Sequence, residues 1–114
     1  MSNFKVALVW LTIVWTFAAF GEEFVYRGYV LNRMAEAAGG GPRTWPLAVV
    51  ATAILFGIGH YYQGLTGIID TAISALVFGG LYIWSDRNLW LPILTHGLTD
   101  TIAIMAIYLG VISV

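Results

Sequence analysis

Residues 4–38 read FKVALVWLTIVWTFAAFGEEFVYRGYVLNRMAEAA, and Gly39-Gly40-Gly41-Pro42 follow at once. Up to Phe20 the run is apolar on every face, as in a helix bathed in lipid rather than one with a wet side. No proline interrupts it, and the glycine run with Pro42 supplies a clean stop. The stretch therefore reads as one long helix over about residues 4–38. A secretory leader would share its Lys5 and the apolar core of residues 6–20. However, the small-residue cleavage pattern is poor and Glu22-Glu23 come directly after, so the helix is read as retained. Within it stand two adjacent carboxylates and, one turn on, Arg27. Charge at bilayer depth costs about 2.5–3.5 kcal/mol per residue, so these groups need a reason to be there.

The rest of the chain repeats the pattern. Of its 114 residues, 60% are hydrophobic and only 10% are charged. A soluble domain carries about 25% charged residues, and so few charges could not cover a water-facing surface. The apolar runs are continuous rather than alternating, which points to helices and not to a barrel. The expected fold class is all-α: a polytopic membrane protein of about four transmembrane helices. The second helix is expected over about residues 46–62, with Pro46 suited to a first turn. A short turn covers 63–67, the third helix 68–84, and the polar Ser85-Asp86-Arg87-Asn88 loop follows. The fourth helix spans about 91–112. No repeat or linker is visible, so residues 1–114 are expected to form a single membrane domain. A net charge of -1 gives no sign of a nucleic-acid partner. The chain has no cysteine, which removes disulfides, thiolate metal sites and a cysteine nucleophile.

Orientation follows from the basic residues. Arg27, Arg33 and Arg43 belong to the side of the first loop and Arg87 to the third, against Lys5 alone on the other side. That bias places both loops in the cytoplasm. The expected location is a prokaryotic cytoplasmic membrane, with any site opening towards the cytoplasm.

Three small polar motifs remain. Glu23 and Arg27 are spaced i, i+4 and can pair, whereas Glu22 points about 100° away and has no local counterion. Glu22 reads either as a general base facing a cavity or, with Glu23 and Arg27, as an anchor at a helix end. His60 closes Gly57-Ile58-Gly59, with Phe56 one turn back on the same face; beside Tyr61-Tyr62 it also suits an interfacial aromatic belt. His96 and Asp100 share a helical face, either as a structural pair or as groups acting on a substrate. Counted from the first hairpin, Glu22 and His60 both lie about 21–22 Å along their helices, which puts them at one level. Asp70 reads as a helix-flanking residue outside the site. Trp10, Trp15, Trp84 and Trp90 suit interfacial positions. No nucleophile-elbow serine is present.

Glu22-Glu23-Phe24-Val25-Tyr26-Arg27-Gly28 resembles the EExxxR motif of the CPBP family (CAAX protease and bacteriocin-processing, or Abi). Phe56-Gly57-Ile58-Gly59-His60 resembles its FxxxH motif, and His96-Gly97-Leu98-Thr99-Asp100 its HxxxN or HxxxD motif. Order and intervals match as well, over about residues 20–107. The resemblance implies an intramembrane endopeptidase acting on a membrane-embedded or lipid-anchored peptide or protein. Glu22 and His60 would then activate water, and His96 with Asp100 would form the oxyanion site. Glu23 and Arg27 would support Glu22, and Phe56 would support His60. No cofactor is expected. The alternative within the enzyme class is a zinc-dependent variant with Glu22, His60 and His96 as ligands, although no HExxH helix is present.

The chain departs from the family in two respects. Asp100 stands where the prenyl-protein enzymes have asparagine, and an ionised carboxylate cannot donate to an oxyanion. Family members also carry further helices before the EExxxR helix, so a homo-oligomer would be one way to shield the cavity from lipid. Some relatives are linked to bacteriocin self-immunity, which keeps a non-catalytic binding protein open, and a proton or ion pathway is a third reading.

Overall fold

The computed structural model describes residues 3–113, and the elements found there are all helical. Helix α1 runs unbroken over Phe4–Ala37, α2 over Thr44–Gly59, α3 over Gly64–Trp84 and α4 over Trp90–Tyr108. A single 3-10 turn, Tyr61–Gln63, joins α2 to α3. The 34-residue α1, the Tyr61–Trp84 segment and α4 are each long and apolar enough to cross a membrane. Helix α2 has 16 residues. At 1.5 Å per residue it is about 24 Å long, short of an approximately 30 Å hydrocarbon layer. The expectation of about four spanning helices thus becomes three helices of spanning length and one shorter apolar helix packed among them.

Local chemistry sets the ends. The Asn3 side chain accepts from the backbone N–H of Lys5 at 2.9 Å and of Val6 at 3.4 Å, capping the start of α1. At the far end Gly39 and Gly40 have φ of 110° and 71°, and the Gly40 N–H returns to the Ala35 carbonyl at 2.9 Å. This left-handed stop is open to glycine without steric cost. The second and third boundaries depart from the sequence expectation. Helix α2 ends at Gly59 rather than near residue 62, because His60 leaves the helix at φ -99°, ψ 23°. Residues 64–67 form the first turn of α3, not a loop, with Gly64 (φ 79°) making the bend ahead of it. Helix α4 stops at Tyr108, followed by Gly110 at φ 75°.

Two segments of α1, Val14–Glu22 and Tyr26–Val30, are wound as π-helix on either side of Glu23–Val25. Such wide turns are uncommon and concentrate at functional sites. Here the first ends on Glu22, and the two together bracket Glu23.

The helices meet through small residues, as membrane bundles do. Ala35, Ala48, Ala53 and Ala75 are buried between helices, with Leu31, Val49, Phe56 and Tyr82 filling the larger gaps. A Cβ on Gly57 would lie 2.8 Å from both the Ala72 Cβ and the Ile68 carbonyl oxygen, so α2 and α3 touch there. A Cβ on Gly97 would run into the Trp15 ring at 2.3 Å. The Trp15 indole also donates to the Thr101 hydroxyl at 3.0 Å. Trp15 is therefore a lock between α1 and α4 rather than the interfacial residue expected, whereas Trp84 and Trp90 are exposed. Many large side chains, Phe17 and Leu47 among them, point outward, where hydrocarbon is the natural surround.

Gly57→Leu should overpack the α2–α3 contact at a cost of about 1–3 kcal/mol. The expected readout is a lower midpoint in SDS-induced unfolding. Gly80→Ala, at a helical glycine with nothing within 4 Å of the added Cβ, should leave the midpoint unchanged.

Candidate active site

Helix α1 contributes Glu22, Glu23 and Arg27. Glu23 and Arg27 are completely buried, with Arg27 Nη1 donating to Glu23 Oε2 at 2.8 Å. The second guanidinium nitrogen, Nη2, donates to the Ala75 carbonyl of α3 at 3.0 Å. The guanidinium carbon lies 4.9 Å from the centre of the Phe56 ring and 5.6 Å from that of Phe78, so the cation sits against two aromatic faces. Sequence spacing anticipated the Glu23–Arg27 pair. It did not anticipate that the same Glu23 oxygen lies 3.0 Å from His96 Nδ1, 73 residues away.

His96 is buried and stacked on Phe78, with ring centres 4.8 Å apart and planes at 15°. Its Nδ1 faces Glu23 and its Nε2 lies 3.3 Å from Asp100 Oδ2. Glu23 Oε2 already accepts from Arg27, so the Nδ1 contact is a hydrogen bond only if Nδ1 carries the proton. Asp100 is in contact with His96 but remains about one-third exposed in its side chain.

His60, just beyond α2, has Nδ1 2.7 Å from the Phe56 carbonyl oxygen. A carbonyl only accepts, so Nδ1–H donates and the neutral ring presents Nε2 as a base. That Nε2 lies 3.9 Å from Glu22 Oε2. The separation is too long for a direct hydrogen bond and suits one bridging water. Phe56 thus serves twice: its carbonyl sets the His60 tautomer, and its ring touches His60, Arg27 and Tyr26.

Glu22, Phe56, His60, His96 and Asp100 all line one cavity of about 470 Å³. Glu23 and Arg27 lie behind its wall. Asp70 lines the same cavity, which corrects the expectation that it stands outside the site. Thr71, Ser74 and Phe78 of α3 line it as well, as does Trp10 of α1. None of these was singled out as a site residue from the sequence. The available signal was the spacing of Asp70, Ser74 and Phe78 at i, i+4 and i+8, a polar stripe ending in an aromatic ring.

Among the described residues no group of three or more His, Cys, Asp or Glu side chains is arranged to hold a metal. Glu22, His60 and His96, the residues considered as zinc ligands, all line the one cavity.

The bundle thus sets a glutamate and a histidine across a water-sized gap in one cavity. The chain is a member of the Rce1-like family: the family model for type II CAAX prenyl endopeptidase Rce1-like matches residues 4–102. That match takes in all three motifs. Membership implies a peptidase working within the membrane. Neither a curated protein nor a solved structure matches the chain.

Breaking the buried pair should be severe. Arg27→Leu leaves the Glu23 carboxylate without its counterion at full burial and should cost about 3–5 kcal/mol. The check is again the SDS unfolding midpoint. Glu23→Leu combined with Arg27→Leu should recover much of that loss, because no bare charge remains.

Proposed function

We propose that this protein is an intramembrane endopeptidase in which Glu22 and His60 jointly activate one water against a peptide carbonyl. One observation carries the reading. The Phe56 carbonyl commits His60 Nδ1 as a donor, and the free Nε2 then faces the Glu22 carboxylate across 3.9 Å inside the cavity. A water in that gap gives one hydrogen to each acceptor and keeps its lone pairs free for attack.

In the first step Glu22 takes a proton from the water as its oxygen bonds to the carbonyl carbon, and the carbonyl electron pair moves onto oxygen. His96 supports the resulting oxyanion through Nε2, which donates when the ring carries both protons. Asp100 accepts from that same N–H while no substrate is bound, and the oxyanion takes over the hydrogen bond as it forms. This resolves the difficulty posed by an acidic residue at position 100: Asp100 holds the donor and need not be one. In the second step the proton on Glu22 passes to the amide nitrogen as the C–N bond breaks. Glu23 and Arg27 touch neither water nor substrate in this scheme; they position His96.

The substrate is a peptide segment associated with the membrane. The side from which it enters follows from the lining. Trp10, Tyr62, Gln63 and Ala103 fall in the half of the bundle that ends at the Tyr61–Gln63 turn. Arg33, Arg43 and Arg87 stand at the other end, where Arg87 stacks over Trp45 at 4.7 Å. Arg27 is buried and leaves the count of loop cations. On this reading, substrate enters at the end of the bundle away from these arginines.

Glu22→Gln and His60→Ala should each lower cleavage of membrane-anchored peptides in liposomes by about 10²–10⁴-fold with the fold intact. Asp100→Asn should stay within a few-fold of wild type. Near-normal cleavage by Glu22→Gln would remove the mechanism. Loss of cleavage on chelation, restored by Zn²⁺, would replace it with the metal variant. Because the chain has no cysteine, single cysteines at Gln63 and Arg43 can report sidedness. They should react with an impermeant maleimide from opposite faces of the membrane.

A further inference from the structure

Asp70 is an ionisable residue inside the Tyr61–Trp84 span that the mechanism does not use. Among the described residues it has no hydrogen-bond or ion-pair partner, in contrast to Glu22, Glu23, Asp100 and Glu36. It lies six residues from the start of α3 at Gly64, about 9 Å along the helix and within the hydrocarbon layer if the helix stands upright. An unpaired charge at such depth faces a cavity or a substrate path by default. Asp70 does line the cavity, together with Glu22 and Asp100, and no lysine or arginine lines it. The only basic groups in the wall are His60 and His96, and both are already opposite carboxylates.

The α3 stripe gives this charge a position relative to the chemistry. Phe78 stacks on His96, and Ser74 and Asp70 follow at one-turn intervals on the same face, all three in the cavity wall. Eight residues of helix separate the level of His96 from that of Asp70, about 12 Å. An extended peptide covers the same distance in three to four residues at about 3.3 Å each.

Resting on the proteolytic reading above, we propose that Asp70 is a specificity-determining residue that receives a cationic side chain of the substrate three or four residues from the scissile bond. A lysine or arginine there has a long apolar stem to lie along the wall and a charged head to pair with the carboxylate. Ser74, without a hydrogen-bond partner among the described residues, is placed to bind the intervening peptide backbone. An acidic substrate residue at that position would meet three carboxylates and no fixed cation.

The test uses the full chain in liposomes and a set of dye-labelled, lipid-anchored peptides. The members differ only in carrying lysine, norleucine or glutamate at successive positions on either side of the cleaved bond. Wild type should prefer lysine over norleucine by about tenfold in kcat/KM at three or four residues from the bond, and at no other position. Asp70→Asn should abolish the preference, bringing the lysine and norleucine peptides to equal kcat/KM, and Asp70→Lys should favour glutamate instead. A lysine preference that survives in Asp70→Asn, or no preference in wild type, overturns the proposal. Binding of the same peptides to the Glu22→Gln variant, followed by fluorescence anisotropy, separates the two readings. Charge-selective binding lost with Asp70→Asn upholds the role of Asp70 even if wild type cleaves nothing. Charge-blind binding alongside normal cleavage refutes it while leaving the protease reading intact.

Discussion

One buried ion pair ties the bundle together. Arg27 of α1 donates to Glu23 on its own helix, reaches the Ala75 carbonyl on α3 and lies against Phe56 of α2 and Phe78 of α3. Glu23 passes the connection to His96 of α4 through the same carboxylate oxygen. A single pair of side chains from one helix therefore touches all three others. Such a pair gives little net stability, since desolvating both ions offsets much of their attraction. What it specifies is register. A slip of α3 or α4 by one residue would leave the Glu23–Arg27 pair itself intact but would take the Ala75 carbonyl from Arg27 or His96 from Glu23, inside a buried site. Asn32 extends the constraint, donating to the Arg27 carbonyl at 2.8 Å and to the Tyr82 hydroxyl at 2.9 Å. The small residues at the helix contacts let backbones approach closely enough for these short side-chain bonds to form.

The same pair divides labour between two adjacent carboxylates. Glu23 is sealed in the interior, whereas the Glu22 side chain keeps about 30% of its surface open to the cavity. One is committed to a guanidinium and an imidazole and cannot move. The other faces a histidine across a 3.9 Å gap, wide enough for one bridging water. An α-helix already separates neighbours by 100°, and the π-wound turns on both sides leave Glu23–Val25 as a short α-helical island. Positioning and chemistry can then come from consecutive residues without either compromising the other.

How far this was legible in the sequence depended on the range of the interaction. The all-helical class, the long first helix and its stop at the glycine run follow from composition and local stereochemistry, and they are found as expected. So is the Glu23–Arg27 pair, because i, i+4 spacing is a local rule. The shared level of Glu22 and His60 came from counting residues from a common hairpin, which works because helical rise is constant. The Glu23–His96 contact was out of reach, since it depends on which face of α4 turns inward. Asp70 was misplaced for a related reason. With the start of α3 set at residue 68 it looked like a helix-end residue, but the helix begins at Gly64 and carries Asp70 well into the wall. An error of one helical turn changed its meaning from cap to cavity.

Hydrolysis inside a membrane needs water where lipid would otherwise fill the space, and a polar cavity wall is what would hold it there. A volume of about 470 Å³ has room for on the order of ten waters. Dry apolar cavities stay empty or take up hydrocarbon, whereas Glu22, His60, Asp70, Ser74 and Asp100 offer acceptors and donors around the rim. The wall grades from this wet edge to the aromatic floor of Phe56 and Phe78, on which the two histidines rest. On the proposed mechanism, the aromatic floor lowers the local dielectric where attack would occur and strengthens each interaction aimed at the developing charge. A carboxylate placed mid-membrane is a costly residue to keep. Three of them around one cavity suit a wall that holds water, while behind it Glu23, paired with the buried Arg27, meets the histidine that the proposed mechanism sets against the developing charge.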